Sequence, residues 1–429
     1  MHDALSSAKK RWHQIVDFDR LVLILAVALP VGTVIQFSLP VGRTGLAVTL
    51  SDAVVAVTVP LLAVEAIWHR RPQIESLVPR LLLWLSLMSA VLIIGLLIAY
   101  LRVGIQPWAA TRLLGWFALL GHLVVAARIA SDPQAQRLAL RVFIVCAAAS
   151  VCLDIGKTIE SSVLVSEETC RWAMPAFGLM QNPNAFAFIL LTACAVIIGE
   201  SQRDLFGKSI GVNMIVVILV IGIGLTASRS AWVSLAAVIG IASMFRETRQ
   251  PRLGLGIAIG VAAVVLLSAL LVCKTSAVGD HAKVVASALS DAKLDGSNIE
   301  RLYTWRRALE LFAAHPLFGA GFGAFLEAEL ARGSTPLIIH STPLWLLAEG
   351  GLVGASAYVM FGIAIAVALI SRIRSGPDVI RQDAITALLV AAGFAVMSLL
   401  QELLYQRCLW VVLSLLIFHP VCSSRSQAS

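Results

Sequence analysis

Apolar residues along this chain come in continuous runs of nearly twenty, separated by short polar turns. A run of about 20 apolar residues is long enough for a helix to cross roughly 30 Å of hydrocarbon. The runs predict twelve spans, at about 20–39, 46–68, 80–101, 108–129, 138–155, 183–200, 209–226, 230–246, 253–273, 343–370, 382–401 and 405–421. Short turns such as the one around Arg43 make successive spans antiparallel neighbours. The expected fold class is therefore an all-α polytopic membrane protein, with 1–429 forming a single transmembrane helical domain. A β-barrel is excluded, because its strands would alternate apolar and polar positions. No internal repeat interrupts the series.

One long polar stretch, about 274–342, separates the ninth and tenth spans. Within it, "NIERLYTWRRALELFAAHP" sets Leu302, Trp305, Leu309 and Phe312 at helical spacing, and Pro316 ends that helix. "LFGAGFGAF" follows and reads as a tight glycine-rich turn. It is weak evidence for phosphate binding, since no strand precedes it. The opening "MHDALSSAKKRWHQIVDFDR" reads as a polar tail leading into a retained span, without a signal cleavage site.

Composition agrees with this pattern: 59% of the 429 residues are hydrophobic and 14% charged, with a mean hydropathy of +0.89. A net charge of +8 would suggest nucleic acid for a soluble protein. Here the charge has a topological explanation, because Lys and Arg on short loops orient membrane proteins. Roughly 19 of the 33 Lys and Arg fall on the side of the N-terminus, among them Lys9, Lys10, Arg70, Arg71, Arg249 and Arg374. Both termini are thus expected in the cytoplasm, and the long loop with His340 outside it; no nucleic-acid partner is implied. The seven cysteines include no CxxC pair. Cys146, Cys152, Cys194 and Cys408 lie in apolar runs and read as packing residues. Cys170 and Cys273 are both placed outside the membrane, and whether they pair stays open.

Polar groups beside lipid are costly, so those near the outer face are candidates for function. His340, in "HSTPLWLLAEGG", is either an interfacial residue bonded to backbone or a general base. An imidazole with its ordinary pKa of about 6.5 is largely neutral at pH 7. Arg229, in "LTASRSAW", sits in a very tight turn; it either snorkels or meets a buried anion. Arg301, like Arg306 and Arg307, is either a solvated surface charge or a ligand group. Asn182 or Asn184 suits an N-cap, with Pro183 in the first turn. Helix starts near Asn184, Ser228 and Thr342 would point positive ends outward and attract anions. Glu349, Asp52 and Asp154 each need a partner within their spans, and all three are candidates to orient basic residues. There is no DDxxD, HExxH or GxSxG motif, and the first outer loop "LPVGRTGLA" carries no acid. Metal-dependent chemistry is disfavoured, and no cofactor is implied.

Four stretches occur in order: "NPNAFAFIL", "LTASRSAW", "ERLYTWRRALELFAAHPLFGAGFGAF" and "HSTPLWLLAEGGLVG". With the long loop before the last spans, this set resembles the superfamily of O-antigen ligases and O-antigen polymerases, over roughly 180–355. The resemblance implies a bacterial inner-membrane glycosyltransferase with a periplasmic active site, acting in lipopolysaccharide biosynthesis. Its donor would be a glycan on undecaprenyl diphosphate, and a ligase would pass that glycan to lipid A–core oligosaccharide. The family's functional histidine and two arginines fall on His340, Arg229 and Arg301. His340 would be the general base, and the arginines would bind the diphosphate and stabilise it as it leaves. Asn182, Asn184, Trp305 and Glu349 are expected to bind substrate. The implied reaction is metal-independent and inverting. The ligase is preferred to a polymerase, which would pass the glycan to another lipid-linked glycan. A protein O-oligosaccharyltransferase is third, since such enzymes usually carry a larger C-terminal region. A lipid-linked glycan transporter is the alternative of another class; the inverted repeats and broken helices it would show are not evident in the sequence.

Overall fold

The computed structural model describes residues 18–41, 44–68, 77–104, 107–164, 175–200, 205–206, 210–245, 254, 256–264, 296–332 and 338–418. The chain begins with α1 (Phe18–Val34), a hairpin of β1 (Gln36–Val41) and β2 (Thr44–Thr49), and α2 (Leu50–Trp68). Next come α3 (Leu77–Val103), α4 (Pro107–Ala130), α5 (Pro133–Leu164), α6 (Pro183–Gly199), α7 (Ile210–Leu225) and α8 (Arg229–Ala242). Residues 256–264 are also helical; the rest of the ninth expected span, 265–273, lies outside the described residues. Then follow α9 (Gly296–Ala314), α10 (Ala324–Ala331), α11 (Thr342–Ser375), α12 (Asp378–Ser398) and α13 (Arg407–Ile417).

Among the described residues, five helices are long and apolar enough to cross a membrane: Leu85–Arg102, Ala110–Ala130, Pro133–Lys157, Thr342–Ser375 and Asp378–Ser398. Shorter apolar helices, including α6, α7, α8 and α13, pack among them. The protein is accordingly a multi-pass helical membrane protein.

The first expected span needs correction. The run read as 20–39 stays helical only to Val34, and its remainder forms β1. Gln36 and Ser38 alternate there with Phe37 and Leu39, a period of two that suits a strand. β1 pairs antiparallel with β2, from Gln36 opposite Thr49 to Val41 opposite Thr44. The Gln36 N–H also donates to the Leu179 carbonyl at 3.1 Å, which ties the hairpin to the segment before α6.

α6 is the axis of the bundle. Its sequence, "PNAFAFILLTACAVIIG", is apolar on every face, and each residue from Ala185 to Gly199 is buried. A helix of that kind requires neighbours all round, which α7, α8 and α12 supply. At its C-terminal end Gln382 donates to the Gly199 carbonyl, and Thr386 donates to Glu200 at 2.8 Å. Of the four apolar-run cysteines, Cys194 and Cys408 are buried as expected, Cys146 is half-buried and Cys152 is exposed. Cys170 and Cys273 lie outside the described residues.

α11 was expected as one unbroken span at 343–370. Its backbone instead breaks at Gly351, where φ is 63° and ψ −162°. The break frees peptide groups on both sides, and the loop of residues 315–323 bonds to them. Ala320 and Gly321 donate to the carbonyls of Ala348 and Glu349, both at 3.0 Å. Leu352 and Val353 donate to the carbonyls of Pro316 and Leu317, at 2.8 and 3.1 Å. Backbone groups at membrane depth must be satisfied by protein, and this loop satisfies them. "LFGAGFGAF" is therefore more than a turn. Its positive-φ glycines, Gly319, Gly321 and Gly323, let the loop enter the gap. The loop also touches α3, where a Cβ on Gly95 would overlap the Phe322 ring at 2.3 Å.

The helix expected in the long loop is α9, but it buries a different face. Leu302 and Leu309 are 51% and 50% exposed, whereas Thr304 and Ala308 are buried. Small side chains bring α9 close to α11. α10 was not expected; Glu329 joins it to α9 by accepting from Tyr303 (2.9 Å) and Arg307 (3.3 Å). Arg307 is thus paired across elements, whereas Arg306 is the exposed surface charge of the two.

Candidate active site

The N-termini of α6 and α8 meet at one end of the bundle. Asn182 caps α6, its side-chain oxygen accepting from the N–H groups of Asn184 (2.8 Å) and Ala185 (3.4 Å). Asn184 then accepts a 2.8 Å hydrogen bond from the Ser228 hydroxyl, next to the first residue of α8. The turn from α7 to α8 is as tight as the sequence suggests. It places Ala227 at φ 53°, a left-handed conformation rare for alanine. Thr226 donates its hydroxyl to the Ile223 carbonyl at 2.7 Å, closing the end of α7. Arg229 follows at once, with its side chain exposed.

Arg301 projects from the first half of α9 and is half-buried. Burial, and then the nearby Arg229 charge, push its guanidinium below the ordinary arginine range, while Glu300 pulls it back up. Two like charges are therefore held close together, and the Arg301 Nε is buried without a hydrogen-bond partner. Like charges in such an arrangement repel, and the cost is offset when an anion binds between them. The aligned peptide dipoles of α6 and α8 act in the same direction.

His340 precedes α11. Ser341 is the N-cap, accepting from the Leu344 N–H at 3.4 Å, with Pro343 in the first turn. Thr342 instead anchors the α12–α13 connection: its N–H and hydroxyl donate to the Gln401 carbonyl at 3.2 and 3.0 Å, and its hydroxyl accepts from the Leu403 N–H. The His340 side chain keeps 18% exposure, and its Nε2 lies 3.6 Å from a Glu300 carboxylate oxygen. The Trp305 indole donates to the His340 carbonyl at 3.3 Å. One helix, α9, thus supplies a carboxylate and an indole to this histidine, and Arg301 follows that glutamate in the sequence.

The remaining candidates fall elsewhere. Glu349 is buried within α11, where it accepts from the Gly323 N–H (3.0 Å), the Phe325 N–H (3.2 Å) and the Trp345 indole (2.6 Å). This geometry gives it a structural task, holding the inserted loop. Trp305 likewise spends its polar atom on the histidine backbone. Asp52 pairs with Arg407 at 3.1 Å, and Asp154 accepts from the Phe177 and Gly178 N–H groups at 3.0 and 3.2 Å. Glu300 was not among the candidates, because forty positions separate it from His340 and no local motif marks it. Arg112 and Glu402 were missed too. They pair through both carboxylate oxygens, and the guanidinium lies 4.9 Å from the Trp345 ring centre.

Among the described residues, no three His, Cys, Asp or Glu side chains lie together as a metal site would require. What the groups offer is a pair of cations for an oxyanion and an imidazole for a hydroxyl. No curated protein gives a significant match to the chain. Residues 214–359, which contain Arg229, Arg301, Trp305, His340 and Glu349, match the family model described as O-antigen ligase.

Proposed function

We propose that the chain is an O-antigen ligase. It takes a glycan from undecaprenyl diphosphate and passes it to a sugar hydroxyl of lipid A–core oligosaccharide, at the periplasmic face of the inner membrane. The observation that carries this reading is that α9 faces His340 with Glu300 and Trp305 while Arg301, on the same helix, feels the charge of Arg229. A diphosphate repays the repulsion between two arginines, and guanidinium forks match its oxygens bidentately.

The acceptor hydroxyl attacks the anomeric carbon. A bond forms between that oxygen and C1, and the bond from C1 to the phosphate oxygen breaks. The electron pair leaves with undecaprenyl diphosphate, whose growing charge Arg229 and Arg301 stabilise. Loss of one such contact typically costs about 3–4 kcal/mol in the transition state. His340 takes the hydroxyl proton and later releases it to water; base assistance of this kind is worth about 10²–10⁴-fold. A single displacement inverts the configuration at C1. The donor bond supplies the driving energy, so no nucleoside triphosphate is needed, and in this metal-independent reading the two arginines alone carry the leaving charge.

A polymerase would run the same chemistry with a second lipid-linked glycan as acceptor. The break in α11 is a feature that transporters also show, but here the protein's own loop fills it. The deciding experiment supplies purified protein in detergent with an undecaprenyl diphosphate glycan, lipid A–core and a chelator. Glycan on lipid A–core with wild type, and none with His340→Ala, is the expected result. Longer lipid-linked glycan would identify a polymerase, loss of activity restored by magnesium would refute the metal-free mechanism, and no transfer to either acceptor would favour a transporter.

A further inference from the structure

We infer that Glu300 is a positioning residue for His340: it holds the imidazole through Nε2, so that Nδ1 carries the lone pair that receives the acceptor proton. The inference rests on the glycosyl-transfer reading above.

A neutral imidazole has one N–H and one lone pair. An ionised carboxylate only accepts, so the nitrogen facing it is the one that keeps its hydrogen. The 3.6 Å approach of Glu300 to Nε2 therefore selects the Nε2–H tautomer. The distance is slightly long for a hydrogen bond, as catalytic contacts often are before substrate tightens them. α9 grips the residue twice, since Trp305 bonds its backbone while Glu300 faces its ring. These two contacts fix both the position and the rotation of the base.

The charges around the ring give Glu300 a second task. Its carboxylate, 3.6 Å from Nε2, opposes the positive charge that His340 gains when it takes the proton. The proton moves from the acceptor oxygen to Nδ1 and then to water, and Glu300 neither gains nor loses one.

The test measures kcat and KM for transfer to lipid A–core between about pH 5 and 9, for wild type, Glu300→Gln, Glu300→Asp, Glu300→Ala and His340→Ala. Glu300 is 42% exposed, so the glutamine variant is expected to fold normally, and its melting temperature provides the check. Glu300→Gln is expected to lower kcat about tenfold or more, within the 10²–10⁴-fold worth of the base itself, while KM stays within about twofold. A lowered kcat at unchanged KM is the readout that a merely structural contact would not give. Glu300→Asp should recover part of the kcat loss. Wild-type kcat in Glu300→Gln and Glu300→Ala, with His340→Ala inactive, would overturn this inference and leave the ligase reading intact. Wild-type transfer by His340→Ala would remove the base assignment, and this inference with it.

Discussion

The Leu352 N–H donates to the Pro316 carbonyl at 2.8 Å, so a membrane helix and the loop after α9 share one hydrogen-bonded backbone. This bond exists because Gly351 leaves the helical region, and it couples α9 mechanically to the helix that begins beside His340.

Gly351→Ala tests that coupling. At φ 63° and ψ −162° the backbone is in a region that is essentially glycine-only. A Cβ would also lie 2.4 Å from both the Gly319 nitrogen and the Leu317 oxygen. The loop must then leave the gap, or the helix must straighten and orphan the loop's own peptides. A loss of about 2–4 kcal/mol is expected, read as a lowered melting temperature in detergent. Gly362 is the control. It lies in the same helix with nothing within 4 Å of its would-be Cβ, so Gly362→Ala should be neutral or slightly stabilising. Equal melting temperatures for the two variants would show that the break does not hold the loop.

Glu349 separates a structural role from a substrate-binding one. Its three donors lose their acceptor in Glu349→Ala, and buried donors left without a partner cost roughly 1–3 kcal/mol each. Glu349→Gln keeps the size but turns one acceptor into a donor, so an intermediate loss of about 1–3 kcal/mol is expected. The readout is stability: KM per folded enzyme should stay near wild type for Glu349→Gln. A raised KM at unchanged melting temperature would instead return Glu349 to the substrate.

How legible this was from sequence varies by element, for physical reasons. α6 announces itself, because an all-apolar helix preceded by Asn-Pro has little else it can be. The hairpin hides, because β1 extends an apolar run, and only the alternation of Gln36 and Ser38 betrays it. α9 was found, but its face was misjudged: pattern reading assumes that large apolar residues turn inward, whereas a helix packing closely on another uses Thr304 and Ala308. The helix break was illegible because Gly350 and Gly351 sit in an apolar run where glycine is common, and the loop that fills the gap comes thirty positions earlier. The resemblance supplied His340, Arg229 and Arg301, but the contact from Glu300 is purely tertiary.

Arg229 and Arg301 should trade activity against stability. Because the two charges oppose each other, Arg301→Gln is expected to leave the melting temperature unchanged or raise it slightly, as substitutions at strained functional sites often do. Transfer should meanwhile fall about 10²–10³-fold, the worth of one leaving-group contact. Arg229→Lys keeps the charge but loses the fork, so its kcat should also fall steeply. Single-turnover transfer together with thermal unfolding measures both quantities. Full activity in Arg229→Lys would reduce Arg229 to a simple snorkelling charge.

Trp305 offers a test of whether the indole serves the histidine or the sugar. Its N–H donates to the His340 carbonyl at 3.3 Å, a bond worth about 1 kcal/mol. Trp305→Phe keeps an aromatic face and loses that bond. If the indole positions His340, kcat falls severalfold and KM barely changes. If the ring stacks on the incoming sugar, Trp305→Phe is nearly silent, while Trp305→Ala raises KM. The geometry favours the first outcome, because the indole nitrogen is already committed to the backbone it would hold in place. Kinetics of the two variants at saturating donor, with acceptor varied, separate the cases.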